Sequence, residues 1–300
     1  MNGVVNVLKP PAMSSGQATG VVKRLFGSRK AGHTGTLDMG AAGVLPVCIG
    51  RATKIADYIM RGQKEYIAEM AFGCETDTLD SYGKTVDRQH ADVDRGALEH
   101  IIPDFLGEIM QQPPAFSALK QAGQPLYKLA LRGEEIHKPP RQVTIYDMQV
   151  LAGTHNKFLL KIACSKGTYI RSLIRDMAHR LDTVAYMSFL LRTRSCGFLV
   201  GDAYTLDELQ HDTTRAKALV PIGDALGFMD SLALPDYLFD IAASGAAIDL
   251  SRAQLDVAAG KDYVLYCKNR LLGIAACDGT ILKIKTMIYI NGADNEDADA

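Results

Sequence analysis

A strand that leads directly into an amphipathic helix restricts the possible folds of this chain more than any other feature. In residues 157–165 apolar side chains alternate with others, which is the pattern of a strand with one buried face. From Ile170 to Leu181 apolar residues recur at intervals of three and four, which predicts a helix with one apolar face. Arg171 and Arg175 lie one turn apart on the polar side of this predicted helix.

The segments before this strand predict an irregular alternation of strands and helices. Residues 3–8 and 65–72 have strand patterns, and a helix is expected from Ser14, an N-cap type of residue, to about Gly27. Residues 111–141 are fenced by two proline pairs and combine basic with aromatic residues. We expect this segment to protrude as an insertion that closes on a nucleic acid.

The last third of the chain predicts a second, smaller unit. A boundary is expected near residues 225–232, so that a first domain covers residues 1–228. Residues 233–290 contain short apolar runs separated by turn signals such as Asp278-Gly279, which predicts a β-rich domain. Residues 291–300 are acidic and lack apolar anchors, so we expect a disordered tail.

Composition excludes several classes of protein. The chain of 300 residues is 47% hydrophobic and 22% charged, which suits a globular protein with a large core. No run approaches the ~20 apolar residues of a spanning helix, and we expect a cytoplasmic protein without membrane contact. The six cysteines are scattered and have no histidine at ligand spacing, so neither disulfides nor a metal site is predicted.

Charge is distributed in blocks although the net charge is only -1. Residues 1–66 and 113–200 are basic, with net charges of +6 and +8, whereas 67–112 and 201–300 are acidic, with -7 and -8. If the fold brings the basic blocks together, they form a face that can bind phosphates. The alternative is that the blocks are ordinary solvated surfaces.

One glycine-rich stretch, residues 31–46, contains a single histidine and a single carboxylate, His33 and Asp38. An aspartate among glycines is commonly a turn or capping residue. It is also a candidate nucleophile or base, and His33 is a candidate base, stacking group or structural histidine. A hydrolase that uses Ser15 with His33 is a further alternative, although no G-x-S-x-G motif presents the serine.

Six segments in order resemble motifs of the bacterial TruB-type tRNA pseudouridine synthases, and together they cover about residues 3–200. The glycine-rich stretch G-H-T-G-T-L-D-M-G-A-A-G-V-L-P resembles the catalytic motif of that family. The other segments are Lys9-Pro10 to Ser15, K-E-Y-I-A-E-M-A-F-G-C-E-T-D-T-L-D-S-Y-G, P-P-A-F-S-A-L-K-Q-A-G-Q-P-L-Y-K-L-A-L-R-G, C-S-K-G-T-Y-I-R-S-L-I-R-D-M-A-H-R-L and F-L-L-R-T-R-S-C-G-F.

The resemblance implies a fold, an activity and a set of partners. The expected fold is α+β, a mixed and largely antiparallel sheet flanked by helices, with a thumb-like insertion at about 111–141. A small PUA-like RNA-binding domain is expected at 233–290. The implied reaction isomerises uridine to pseudouridine in the T-loop of tRNA, without a cofactor or a metal. The expected partner is the T-arm of tRNA, and the protein is expected to be a monomer.

The resemblance also assigns roles to six residues. Asp38 is the implied nucleophilic carboxylate, Arg171 its partner, and Tyr66 the ring that stacks on the target base. The remaining positions match substrate-binding residues of the family: His33, Tyr169 and Leu190. The stretch further suggests that Asp38 is the one carboxylate in its pocket and that the glycines let the backbone approach a flipped nucleotide.

Two departures from the family pattern stand close to these residues. Met39-Gly40 follows Asp38 where the family usually has Pro-Leu, and Pro11-Ala12 stands where a glycine is common. Both changes leave the six implied site residues in place. A tRNA-binding or tRNA-folding protein, in which catalysis is dispensable, is the alternative function, and the pair of Asp38 and Arg171 discriminates between the two because binding requires neither.

Overall fold

The computed structural model describes residues 1–116, 120–121, 124–125 and 139–289. Most of the predicted thumb and the whole predicted tail therefore lie outside the described residues. The strands, in chain order, are β1 (Gly3–Lys9), β2 (Ala31–His33), β3 (Ala42–Ile49), β4 (Lys64–Phe72), β5 (Cys74–Thr76), β6 (Thr85–Arg88), β7 (Gly107–Gln111), β8 (Lys120–Gln121), β9 (Gln124–Pro125), β10 (Arg141–Thr154), β11 (Lys157–Cys164), β12 (Ala185–Ser195), β13 (Phe198–Leu199), β14 (Leu219–Val220), β15 (Ser231–Leu234), β16 (Ile248–Asp249), β17 (Asp262–Cys267), β18 (Arg270–Cys277) and β19 (Ile281–Met287).

The helices are short and lie between these strands. The α-helices are α1 (Ser15–Leu25), α2 (Ala56–Arg61), α3 (Arg95–Ile101), α4 (Ile170–Arg180), α5 (Asp212–Ala218), α6 (Ile222–Ala225), α7 (Phe239–Ala243) and α8 (Leu250–Ala253). Turns of 3₁₀-helix occur at Gly50–Ile55, Ile102–Phe105, Val200–Asp202, Glu208–Gln210 and Asp236–Leu238. Within the described ranges, no helix has the length and apolar character that a membrane crossing requires.

A ten-stranded sheet forms the first part of the molecule. Its main order is β14-β1-β3-β12-β4-β11-β10-β7, with β2 paired to β3 and β13 paired to β12. The described pairings within it are antiparallel except that of β3 with β12. The expected mixed, largely antiparallel sheet with flanking helices is therefore confirmed. Strands β3, β10 and β12 were not predicted, although β3 and β12 lie at its centre.

The predicted strand and helix around residue 165 form one side of the core. The apolar stripe of α4 packs on alternate residues of β4 and β11, including Ala68, Met70, Leu160 and Ile162. At its start, α1 has the predicted cap: Ser14 accepts from the backbone N–H of Gln17, whose side chain accepts from the Ser14 N–H, a reciprocal capping box. Both helices are thus fixed at the sheet by patterns visible in the sequence.

The C-terminal residues form a separate five-stranded sheet with the order β15-β17-β18-β19-β16. Its own apolar core lies among residues such as Leu238, Leu265 and Leu282. A second cluster is shared with the first sheet and joins Val4 and Ile59 to residues of β17 and β18. Hydrogen bonds from Arg51 and Lys54 side chains to backbone carbonyls just after β19 or at its end add to this contact. The β-rich C-terminal region is therefore packed directly against the larger sheet.

Candidate active site

Asp38 lies in the loop between β2 and β3, with its carboxylate 39% exposed. The buried hydroxyl of Ser15, at the start of α1, donates to the carbonyl of Leu37 at 3.0 Å and accepts from the Leu37 N–H at 2.8 Å. This exchange fixes the backbone immediately before Asp38. It also occupies the hydroxyl that the hydrolase alternative requires as a nucleophile.

Arg171 lies in the first turn of α4 and is 4% exposed. Its Nε is 2.9 Å from Oδ2 of Asp38, and its Nη2 donates to Oδ1 at 3.1 Å. A bidentate pair of this kind fixes the orientation of a carboxylate as well as its charge. The pair implied by the resemblance is present. At Arg171 the predicted polar side of the helix faces a buried ion pair and not solvent. Arg175, one turn later, pairs with Asp176.

The guanidinium of Arg171 also connects the site to the turn after β5. Nη1 donates to the carbonyl of Thr78 at 2.8 Å and lies 3.8 Å from Oδ2 of Asp80, while Nη2 donates to the carbonyl of Phe116 at 3.0 Å. Asp80 lines the same cavity as Asp38. The expectation that Asp38 is the one carboxylate in its pocket is therefore wrong. Asp80 lies near the end of the segment 64–83 that resembles a family motif, but local sequence does not show that this turn folds back onto α4.

Tyr66 lies on β4, directly opposite Arg192 of β12 in the sheet. Both residues are buried. Burial raises the pKa of the Tyr66 hydroxyl, and the charge and a hydrogen bond of Arg192 partly oppose this shift. Tyr66 therefore remains a neutral ring beside the site.

Arg192 itself was not predicted as a site residue. Its Nε donates to the carbonyl of Val44 at 2.7 Å and its Nη2 to the carbonyl of Gly35 at 3.0 Å. Gly43, with φ at +116°, lies against the backbone of Arg192, where any side chain would collide. Gly35 and Gly43 thus allow the loop to pack closely around Arg192. Their presence is explained without the expected close approach of the backbone to a nucleotide.

The three remaining predicted residues take different positions. Leu190 is buried and lines the cavity with Asp38. Tyr169 is the N-cap residue of α4, and its backbone N–H and carbonyl are held by the side chain of Gln111 at 2.8 and 3.0 Å. His33 ends β2 and is half-buried; burial and the charge of Arg192 lower its pKa, which favours the neutral imidazole. Neither His33 nor Tyr169 lines the cavity.

Lys9 is a third buried cation at the site, after Arg171 and Arg192. Its ammonium donates to the carbonyls of Met13 at 2.6 Å, Pro10 at 2.8 Å and Met39 at 3.4 Å. Burial lowers its pKa to about 8, against the opposing charge of Asp38. Lys9 therefore ties the end of β1 to the residue after Asp38. In the loop between β1 and α1, Ala12 has a left-handed φ of 60°. This is the position at which the family commonly has glycine.

The cavity beside Asp38 has a volume of about 20 Å³. This is roughly the volume of one water molecule. A larger cavity of about 560 Å³ lies elsewhere, between Asn6, Phe198 and Phe228, and contains none of the predicted site residues. In the described part of the chain, no cluster of three or more potential ligands is placed to hold a metal ion.

Comparison with known proteins gives consistent matches. The sequence model described as "TruB family pseudouridylate synthase (N terminal domain)" matches residues 23–170. A protein of Pelotomaculum thermopropionicum named tRNA pseudouridine synthase B is 39% identical, over 92% of this chain and 91% of its own length. A protein of Neisseria gonorrhoeae with the same name is 34% identical, over 98% and 96% of the two chains.

Solved structures show the same fold at lower sequence similarity. A chain from an H/ACA RNP bound to a substrate RNA containing 2'-deoxyuridine matches with a TM-score of 0.75 and 22% identity, over 97% of this chain and 86% of that chain. A chain from an archaeal box H/ACA sRNP complex matches with a TM-score of 0.73 and 23% identity, over 96% and 86%. Both matches extend across the ten-stranded and the five-stranded sheets.

Proposed function

This chain belongs to the TruB family of pseudouridylate synthases, and we propose that it isomerises a uridine in the T-loop of tRNA to pseudouridine. The observation that carries the proposal is the bidentate pair of a half-exposed carboxylate, Asp38, with a buried arginine, Arg171. A protein that only binds RNA needs no such pair. The activity is that of an isomerase.

The reaction needs a carboxylate but no redox partner. The bond between C1′ and N1 of the uridine breaks, the uracil rotates, and a bond from C5 to C1′ forms; C5 loses its proton and N1 gains one, so no atoms are added or lost overall. Asp38 serves either as the nucleophile that adds to the sugar or as the base that removes a ribose proton. Both routes require an ionised carboxylate aimed at the ribose.

Arg171 meets this requirement. Two hydrogen bonds hold both oxygens of Asp38 in one plane, while the guanidinium is itself held by the carbonyls of Thr78 and Phe116. The positive charge of the guanidinium lies directly against the carboxylate. A carboxylate that fixed donors hold in place needs little reorganisation during the reaction.

The remaining predicted residues supply the binding site for the base. The target uridine must leave its stack, at a cost of a few kcal/mol, and stacking on an aromatic ring returns roughly 1–3 kcal/mol. We assign this ring to Tyr66 and an apolar wall to Leu190, which lines the cavity. His33 and Tyr169, at the edges of β2 and α4, are assigned to the flipped nucleotide and its pocket.

We assign the contact with the rest of the tRNA to the C-terminal region and to the thumb. The region 233–290 is proposed to be a PUA-like domain. On its surface Phe239 has the ammonium of Lys268 at 4.8 Å and the guanidinium of Arg270 at 6.0 Å from its ring centre. Cations around an aromatic ring suit a phosphate backbone with exposed bases. We propose that the protein acts as a monomer on the T-arm.

The proposal is tested by mapping pseudouridine in unmodified tRNA and in a T-arm stem-loop treated with the protein. Wild type should form pseudouridine at one T-loop position, and Asp38→Asn should form none while binding the RNA with nearly unchanged affinity. Turnover by Asp38→Asn would contradict the assigned role of the carboxylate. RNA binding by wild type without any pseudouridine would favour the tRNA-folding alternative.

A further inference from the structure

Three large apolar side chains are exposed at or beside the Asp38 cavity. Tyr82 and Phe189 line it, and Met39 is the residue after Asp38; we call the three the apolar rim. Single exposed apolar residues are common on protein surfaces. Three around one charged cavity form a patch, and patches of this kind mark binding sites. Tyr82 is the most exposed of them, at 65%, and it lines the cavity together with Asp38.

The backbone under Tyr82 is fixed by the catalytic pair. Oδ1 of Asp80 accepts the Tyr82 N–H at 3.0 Å and the Thr78 hydroxyl at 2.6 Å, and the Thr78 carbonyl accepts from Arg171 at 2.8 Å. On the other side, the carbonyl of Leu79 accepts from the N–H of Met187. The turn that carries Tyr82 is therefore tied to the guanidinium that orients Asp38.

The ring of Tyr82 rests on Gly40, two residues after Asp38. A Cβ atom at position 40 would overlap the Cε2 edge of this ring, closer than any van der Waals contact allows. Gly40 does not have a positive φ among the described glycines, so a side chain at this position would be accommodated only by displacing the Tyr82 ring from its observed place. The departure Met39-Gly40 thus makes room for an aromatic ring beside the catalytic carboxylate.

We propose that Tyr82 is an RNA-contacting residue, which stacks on a nucleobase of the substrate loop that neighbours the target uridine. This inference rests on the proposed function. Tyr66 is buried within the site, whereas Tyr82 presents its ring to solvent at the edge, where bases next to an extruded nucleotide must pass.

A single fluorophore tests the contact directly, because the chain contains no tryptophan. In the Asp38→Asn background, Tyr82→Trp places one indole at the rim, and a T-arm stem-loop is titrated into it. Stacking on a base should quench the fluorescence with the same midpoint as an independent binding curve. The matched control is Tyr146→Trp, at a tyrosine on β10 that is 55% exposed and does not line the cavity. Equal or absent quenching in both variants, with RNA bound, would overturn the proposal.

Kinetics give a second measurement. Tyr82→Ala should raise KM and the RNA dissociation constant by roughly 5- to 100-fold, the range found when a stacking aromatic is removed. Its kcat should change little. Tyr82→Phe keeps the ring and should behave as wild type. Gly40→Ala should displace the ring and give part of the same loss, with no added effect in the double variant Gly40→Ala/Tyr82→Ala. Wild-type KM in Tyr82→Ala would overturn the inference. Absence of turnover in wild type would instead overturn the proposed function.

Discussion

Two buried arginines lie at the site, and they have different partners. Arg171, on α4, binds the carboxylate of Asp38 and lies near a second carboxylate, Asp80. Arg192, on β12, donates to two backbone carbonyls and has no carboxylate within ion-pair distance among the described residues. The first arginine is therefore neutralised by acidic groups, whereas the second leaves a largely uncompensated positive charge beneath the loop.

The two arginines therefore have different roles: one orients the Asp38 carboxylate, and the other stabilises the loop that carries it. Arg171 sets the position of the reacting carboxylate, so that its loss should alter the chemistry. Arg192 holds Gly35 and Val44, on either side of Asp38 in the chain, and its charge contributes to lowering the pKa of His33, Lys9 and Lys64. Its loss should alter folding first. The same residue type thus serves two purposes in one site, and mutation can separate them.

The largest expected effect is that of Arg171→Lys on turnover. A lysine keeps the charge but cannot bind both oxygens of Asp38 or reach the two carbonyls in the same plane. Misplacement of a catalytic group by about 1 Å costs roughly 100-fold, and we expect kcat to fall by at least this factor. Single-turnover pseudouridine formation measures it, with folding followed by circular dichroism.

Arg175→Lys is the matched control for this change. Arg175 lies one turn further along α4, is partly exposed and pairs with its neighbour Asp176. It should keep wild-type kcat. If Arg171→Lys also retained wild-type kcat, bidentate orientation of Asp38 would not be what Arg171 contributes.

The second expected effect is a loss of stability in Arg192→Met. The carbonyls of Val44 and Gly35 would lose their donors in a buried environment, at ~1–3 kcal/mol each, and relief of repulsion with Lys9 and Lys64 would offset part of this cost. We expect the free energy of unfolding to fall by about 2–4 kcal/mol, measured by urea denaturation. Arg194→Met, at an exposed position two residues along β12, should change it little. Full stability in Arg192→Met would contradict the supporting role.

The two arginines also show what sequence can and cannot predict. Arg171 was named through a motif and contacts Asp38, the partner that the motif implies, whereas the periodicity of α4 placed it only on the polar side, because a hydrophobic pattern cannot distinguish solvent from a buried ion pair. Arg192 was quoted within a motif and given no role. Its contacts with Gly35 and Val44 join residues about 150 positions apart, and no local pattern encodes them.

The strands divide in the same way. In the C-terminal sheet, β17, β18 and β19 are neighbours in sequence and in space, and their alternation and turns predicted them. In the large sheet, β12 pairs with β3 and β4, which lie far from it in sequence. Strand β3 has no recognisable strand pattern in the sequence, because it contains Pro46 and follows a glycine-rich stretch. In β12, two register irregularities break the alternation of apolar and polar residues. The core strands were missed because tertiary pairing, not local pattern, defines them.

The smallest expected effect concerns pH and Lys64, whose ammonium donates to the carbonyls of Met60 and Gly62. Burial, with the charge of Arg192, lowers its pKa to about 8, from 10.5 in the unfolded chain. Between these values the unfolded chain binds more protons, so this group makes stability rise with pH. Between pH 7.5 and 9 the free energy of unfolding should rise by about 1 kcal/mol less in Lys64→Met than in wild type. Lys161→Met, at a more exposed lysine, should show the same rise as wild type. An unchanged pH dependence in Lys64→Met would mean that Lys64 stays protonated in the fold, and that the positive field of Arg192 does not reach it.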